Sequence, residues 1–512
     1  MRDFLKLVTK HTVIFSIGDI AQKAMGFLLL PVYMRCLSPD DYGVIAMLSI
    51  ATTVFGGVIL QGLPTASFRA YSFDYSNDEK GQEDVIYTAY AYLLIISFIF
   101  YLILFLSSSF WSHIFFKEGD FTRFIRIVFI TGFFSCASNI PFVILRARLL
   151  SAWLAGISLG RVFIGASMII WFVVFKDMGV EGVLMANLIM SILVFFASPL
   201  IPIIIHKRFS LHISLKKLKV MLLFGLPMVP GLFASWIMSS ADRYFIEHFS
   251  TRAELGLYSI GFSFASILTF AFIAPFRKTW PAVFYPKAQE GDAKEVFSRF
   301  ATYFLLVGSI ITLGIICASE HLIILMGPKE YWDAYIVVPI LVIGVFLHGF
   351  QATINLGLFI ESKTKYAPLI VAGGAASNIL FNALLVPHFG MMGAATGTLL
   401  AYLVLLALTL AINQHIYPVQ YEYGRIIHLS IIFFMIVAVN YVIRLDSFWW
   451  MISIRVVLFS SFILLLFLTK FFTQSELAVI KECHHKYKLL AVSIGAKIQK
   501  IPQTYIKKMI SR

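Results

Sequence analysis

The chain has 512 residues, of which 59% are hydrophobic and only 13% charged, with a net charge of +14. A soluble domain carries about 45–50% apolar and about 25% charged residues, so this composition excludes a water-soluble core under a polar surface. Bilayer spans of about 20 residues with short loops consume the whole length, which excludes a separate soluble catalytic domain and turns the positive charge into a matter of membrane topology rather than nucleic-acid binding.

Hydrophobic stretches bounded by charges or prolines predict helices near residues 11–36, 40–68, 86–109, 122–146, 150–175, 179–205, 218–246 and 255–280, then 298–320, 334–361, 366–388, 391–414, 425–444 and 449–470. The runs are continuously apolar rather than alternating, which predicts helices and not a barrel. The expected fold is an all-α integral membrane protein with 14 transmembrane helices. The N-terminus opens with Arg2, Lys6 and Lys10 and lacks a small-x-small cleavage site. Asp19, Gln22 and Lys23 interrupt its apolar run, so it reads as an uncleaved first helix. Residues 473–512 form a basic tail dotted with Leu and Ile, either an amphipathic segment on an anionic leaflet or a loosely ordered tail serving topology.

Orientation follows from lysine and arginine placement. With the N-terminus inside, 29 of these residues fall in inner segments and 8 in outer ones. Both termini are therefore expected in the cytoplasm. Cys36, Cys136, Cys317 and Cys483 are scattered without a C-x-x-C pair. No metal site, disulfide framework, phosphate loop or nucleophile elbow is signalled, and no cofactor is expected.

An internal repeat is visible. Asp41-Tyr42-Gly43-Val44-Ile45 returns as Glu254-Leu255-Gly256-Leu257-Tyr258, 213 residues later. Gly179-Val180-Glu181-Gly182-Val183 returns as Gly390-Met391-Met392-Gly393-Ala394, 211 residues later, and Arg146-Ala147-Arg148 as Lys363-Thr364-Lys365, 217 later. Six spans separate the paired points, so the expected relation is parallel, about an axis along the membrane normal. The resulting division is a half-bundle over 1–205, a second over 206–415, two further helices over 416–472, and the tail.

Ionisable side chains within spans cost about 2.5–3.5 kcal/mol on insertion scales and normally face a cavity or a partner. Lys23 lies near the middle of the first span, with Asp19 four residues earlier on the same face. Lys23 either faces a cavity or is neutralised by Asp19 as a structural pair. Arg161 lies in the fifth span after Gly156-x-x-x-Gly160, a pattern that permits close packing; a cavity and a packing role both stand. His348, Gln351 and Asn355 form one polar stripe on the tenth span, fit for sugar hydroxyls or for an interhelical network. Arg69, Arg146 and Arg148 lie near the cytoplasmic surface, as anchors or as an attraction for an anion. Pro227 and Pro230 remove backbone donors and predict a kink or hinge in the seventh span.

Several stretches carry a family resemblance: Gly26-Phe27-Leu28-Leu29-Leu30-Pro31-Val32-Tyr33, Leu37-Ser38-Pro39-Asp40-Asp41-Tyr42-Gly43, Phe224-Gly225-Leu226-Pro227-Met228-Val229-Pro230, Asp242-Arg243-Tyr244-Phe245-Ile246 and Gly256-x-Tyr258. With two six-helix halves and two extra helices, the chain resembles the polysaccharide biosynthesis branch, the Wzx-type flippases, of the multidrug/oligosaccharidyl-lipid/polysaccharide exporter superfamily. The resemblance implies alternating-access transfer of an undecaprenyl-diphosphate-linked oligosaccharide to the periplasmic leaflet of the bacterial inner membrane, for O-antigen or another surface polysaccharide. It also admits other polysaccharide assembly proteins as partners beside the lipid bilayer. It makes Lys23, Arg161 and Arg69 candidates for the diphosphate. Asp242 and Arg243 become family-characteristic residues, as substrate contact or as a lock between halves. Gly43 and Gly256 become structural positions. A drug/cation antiporter of the same superfamily, a membrane enzyme and a non-transporting assembly partner are the rival functions. The first usually manages with twelve spans and acidic cation sites, and the second needs a large outer loop or clustered carboxylates.

Overall fold

A computed structural model describes residues 18, 20–206, 213–443, 447–474 and 476–478. Asp19, Cys483 and most of the basic tail lie outside the described residues, as do the inner charges Arg2, Lys6, Lys10, Lys207 and Arg208. The described chain is helical nearly throughout. Helix α1 comprises residues 20–28 and continues as Leu30–Cys36. It is followed by α2 (Pro39–Leu60), α3 (Glu79–Leu106), the bent pair α4 (Thr122–Ala137 and Pro141–Ala147), α5 (Ser151–Phe175) and α6 (Gly179–His206). Then come α7 (Leu215–Phe249), α8 (Arg252–Trp280, helical onward to Lys287), α9 (Ala293–Met326), α10 (Val338–Ile360) and α11 (Tyr366–Ile416). The last two are α12 (Tyr423–Val442) and α13 (Trp449–Leu468).

Among the described residues, 11 helices are long and apolar enough to cross a membrane, or 12 with α4 counted as one span. The fourteen read from the sequence are not reached. The eleventh and twelfth expected spans form one 51-residue run, α11, whose two helical stretches meet at a non-helical kink, and part of the first falls on residues outside the description. Contacts divide the chain after Tyr421 into two units. The first holds α1 to α11 and all the geometry that follows.

Local chemistry sets the breaks. Ser38 caps α2: its Oγ accepts from the Asp41 amide at 3.2 Å, and the Asp41 carboxylate accepts from the Ser38 amide at 3.1 Å. Two orphan donors of the first turn are thereby satisfied. Thr251 caps α8 in the corresponding way, accepting from the Glu254 amide at 3.2 Å. In α7 a 3-10 turn over Leu226–Met228 separates Leu215–Gly225 from Val229–Phe249, the break that Pro227 and Pro230 announce. In α11 the break is Gly390, at φ 54 and ψ −131, inside a run that also contains Pro387. Only glycine adopts that backbone without strain. The Met391 amide beside the break donates to Glu254 Oε2 at 2.8 Å, so a first-turn residue of α8 also satisfies the kink of α11.

Two glycines 213 residues apart make reciprocal contacts. Gly43 of α2 lies against the Arg252 backbone oxygen of α8, and Gly256 of α8 lies against the Pro39 backbone oxygen of α2. A Cβ at either glycine would overlap that oxygen, so α2 and α8 cross at backbone contact. Gly179 and Gly390, the other pair matched by sequence, share φ 54. Around this crossing α2 packs also on α7 and α4, while α7 and α10 both pack on α11.

Candidate functional site

Three cavities open along the helices around α1 and α8. The first, about 360 Å³, lies between these two helices and is lined by Gln22 and Lys23 on one side and Phe270, Pro275 and Lys278 on the other. Lys23 is exposed to it. The second, about 390 Å³, sits among α1, α2, α4, α5 and α6. It holds Arg161 with Gln22, Thr131, Ser158, Asn187 and Ser191. Arg161 also stands 6.0 Å from the Phe142 ring. Gln22 borders both cavities, so they adjoin beside Lys23.

The third cavity, about 520 Å³, lies among α7, α8, α10 and α11. Here the polar stripe expected on the tenth span is brought together: His348, Gln351 and Asn355 all line it. The His348 ring stacks on Tyr402 at 4.8 Å, and Gln351 Nε2 donates to Thr409 Oγ1 at 2.9 Å. Asn355 stands at the break between Val338–Ile354 and Leu356–Ile360, and its Oδ1 has no hydrogen-bond partner. Arg277 and Trp280 complete the wall from α8. None of the three linings contains Asp or Glu.

Arg277 and Lys278 were not singled out by sequence, because they read as topogenic charges at the inner end of a span. Their adjacency was the available signal. Successive helical residues point about 100° apart, so one basic pair can supply two cavities on two flanks of α8.

The other sequence candidates sit elsewhere. Asp242 is buried at 1% exposure. It accepts from the Tyr258 hydroxyl and lies 3.5 Å from Thr398 Oγ1, tying α7 to α8 and α11. Arg243 stacks over Phe262 at 4.9 Å, and its Nε has no hydrogen-bond partner. Neither residue lines the three cavities. Arg69 stands 3.5 Å from Asp74 and 4.9 Å from the Phe224 ring, joining the end of the α2 region to α7.

At the opposite end of α1 and α8 the structure is shut. Arg35 donates to the Met326 and Leu325 carbonyl oxygens at 3.1 and 3.2 Å, capping the C-terminus of α9. The Tyr331 hydroxyl donates to the Leu37 carbonyl at 2.9 Å. Burial pushes the pKa of that hydroxyl up, which keeps it a donor. Arg252 donates to the Glu118 carbonyl at 2.8 Å and lies over Phe121 at 4.8 Å. These contacts flank the Gly43 and Gly256 crossing.

The sequence profile described as "Polysaccharide biosynthesis protein" matches residues 32–334. An "Uncharacterized membrane protein" of Haemophilus influenzae is 24% identical over 397 residues, covering 75% of this chain and 94% of its own. Among solved structures, "Lipid II flippase MurJ, inward closed conformation" superposes with a TM-score of 0.71 at 16% identity, covering 88% of this chain and 98% of its own. An inward-facing multidrug resistance MATE transporter of the MOP superfamily gives a TM-score of 0.63 at 13% identity, with 80% and 97% covered. The chain thus belongs to the polysaccharide biosynthesis protein family, as a multi-pass membrane protein with the MOP-superfamily fold.

Proposed function

We propose that the protein is a flippase that carries an undecaprenyl-diphosphate-linked oligosaccharide from the cytoplasmic to the periplasmic leaflet of a bacterial inner membrane, for O-antigen or another surface polysaccharide. The observation that carries this reading is the cavity between α1 and α8, where Lys23 faces Lys278 beneath a closed far end. A diphosphate cannot cross hydrocarbon with its charges stripped of water. Cations in a cavity replace that hydration by charge-assisted hydrogen bonds. Opening of α1 and α8 toward the cytoplasm loads the head group; parting of the Arg35 and Arg252 latches releases it outside.

The same reading counts α11 as two crossings. Its 51 residues would span about 76 Å as one straight helix, over twice the hydrocarbon core of about 30 Å. With α1 and α4 this gives fourteen spans and both termini inside. The reciprocal contacts of Gly43 and Gly256 support two parallel half-bundles, 1–205 and 206–415. The drug/cation antiporter reading asks for an acidic group in a cavity, and none lines the three described here.

The experiment is reconstitution of the full chain in proteoliposomes loaded with fluorescently labelled undecaprenyl-diphosphate oligosaccharide. Transfer is read by quenching from the outer medium. Transfer no faster than in protein-free vesicles would reject the proposal.

A further inference from the structure

We propose that the crevice between α2 and α7 holds a membrane phospholipid, with one acyl chain inside it and the phosphate at Arg69. This inference goes beyond the flippase reading and does not depend on it. The crevice is a cavity of about 320 Å³ that shares no residue with the three cavities described above. Its walls include Val58 and Leu60 from α2 and Val229, Leu232 and Phe233 from α7, and its lining contains no charged side chain. Thr53 turns its hydroxyl proton back to the Ser49 carbonyl oxygen of its own helix at 2.8 Å. Trp236 Nε1 is buried and makes no hydrogen bond, so the ring meets the cavity through carbon.

The helices leave this space unfilled: a Cβ at Gly57 would meet nothing within 4 Å. Water finds too few partners in an apolar cavity, and an empty one forfeits dispersion contacts. Leu232 and Phe233 line the cavity yet are 48% and 43% exposed, so it is open at one side. Both α2 and α7 are long and apolar enough to span a membrane. Hydrocarbon is the matching occupant for an apolar opening between two spans.

The chemistry changes at one end of the crevice. Thr65 lines the cavity, and Arg69 follows four residues later on the same face of Leu63–Arg69, about 6 Å further along the axis. The Arg69 side chain is 45% exposed and reaches across to α7, 4.9 Å from the Phe224 ring. Its neighbour Asp74, at 3.5 Å, is a partly exposed pair that leaves the guanidinium open to another anion. Lys216 and Lys219 are exposed on the same piece of α7. A chain in the cavity with an anion beside Arg69 is the layout of a phospholipid, whose acyl chain and phosphate are joined through glycerol. The proposed substrate puts its diphosphate between Lys23 and Lys278, so its own tail starts from two other helices.

The full chain, purified in detergent and stripped of lipid, is titrated with phosphatidylglycerol and with phosphatidylcholine, and binding is read by native mass spectrometry. One phosphatidylglycerol is expected to bind about 5-fold more tightly than phosphatidylcholine. Arg69→Gln should remove that preference and leave phosphatidylcholine binding unchanged. Gly57→Phe and Val58→Phe fill the crevice and should weaken both lipids at least about 10-fold at an unchanged melting temperature. Dibrominated phosphatidylglycerol locates the site in the wild type whether or not those variants fold. It should quench Trp236 fluorescence, taken as the difference between the wild type and Trp236→Phe, and saturate at one lipid per chain. Quenching that does not saturate, or no difference between the two proteins, overturns the proposal. So does lipid binding that persists in a folded Gly57→Phe variant. Displacement of phosphatidylglycerol by an equimolar amount of undecaprenyl phosphate also overturns it, giving the crevice to a polyprenyl chain. None of these measurements reads transfer, so the flippase reading stands or falls separately.

Discussion

Lys217 Nζ donates to Asp84 Oδ2 at 2.8 Å, joining the first piece of α7 to α3 across 133 residues of sequence. The same ammonium reaches the Gly81 carbonyl at 3.2 Å, and the Ser214 amide donates to Thr88 Oγ1 at 3.0 Å. The piece of α7 after the break packs instead on α11. The 3-10 turn over Leu226–Met228 is thus the point where one helix passes from one packing partner to the other. Lys217→Ala would leave a mostly buried carboxylate without its cation. It should destabilise the protein by about 1–3 kcal/mol, and the double change with Asp84→Ala should recover much of that. Thermal unfolding in detergent measures both. A single variant as stable as the wild type would mean that other packing holds this segment.

The crossing of α2 and α8 leads to a second expectation. A side chain at Gly43 or Gly256 meets a backbone oxygen that cannot move unless the helices separate. Gly43→Val and Gly256→Val should therefore loosen the shut end and expose Leu37. A Leu37→Cys reporter, in a background without other cysteines, should react at least about 10-fold faster with an impermeant maleimide. Unchanged labelling in a folded variant would show that the crossing does not close the path.

Asp242 behaves as a packing element in its geometry. It is buried, and Tyr258 supplies its charge-assisted hydrogen bond. Tyr258→Phe should cost about 1.5–3 kcal/mol by leaving the carboxylate underserved. Asp242→Asn should cost less, because the amide oxygen still accepts and the buried charge is gone. Both variants should transport in proportion to the amount of folded protein. A transport loss at normal abundance and melting temperature would instead tie Asp242 to the substrate.

Much of this arrangement was legible in the sequence, for definite physical reasons. Continuous apolar runs fixed the helical class, and Pro227 with Pro230 announced the break in α7. The matched glycines marked backbone proximity and a positive φ, which only glycine supplies cheaply. The stripe of His348, Gln351 and Asn355 was readable because helical periodicity places i, i+3 and i+7 on one face. Arg277 was hidden because a cation near a span's inner end looks like any topogenic residue until the neighbouring helices define a cavity. Arg243, another cation within a span, lies over Phe262 and lines none of the three cavities. The break expected between residues 388 and 391 is the Gly390 kink, and the count of apolar helices stays below fourteen because the two sides of that kink form one run and part of the first span lies outside the described residues.

Lys23 gives the decisive functional comparison. It lines the α1 and α8 cavity with Lys278, and its sequence neighbour Asp19 offers the competing role of a buried pair. A diphosphate at Lys23 gains charge-assisted hydrogen bonds of roughly 1.5–3 kcal/mol each. Lys23→Ala should then lower transfer about 10–100-fold with abundance unchanged, and Lys23→Arg should retain part of the rate because the charge survives in a different geometry. If Lys23 serves only Asp19, the double change Lys23→Ala with Asp19→Ala removes both charges and restores transfer. Transfer assays on the wild type, the three variants and protein-free vesicles separate the two roles. Wild-type rates in the double variant would remove Lys23 from the substrate path; continued loss would leave the cation itself as what the diphosphate requires.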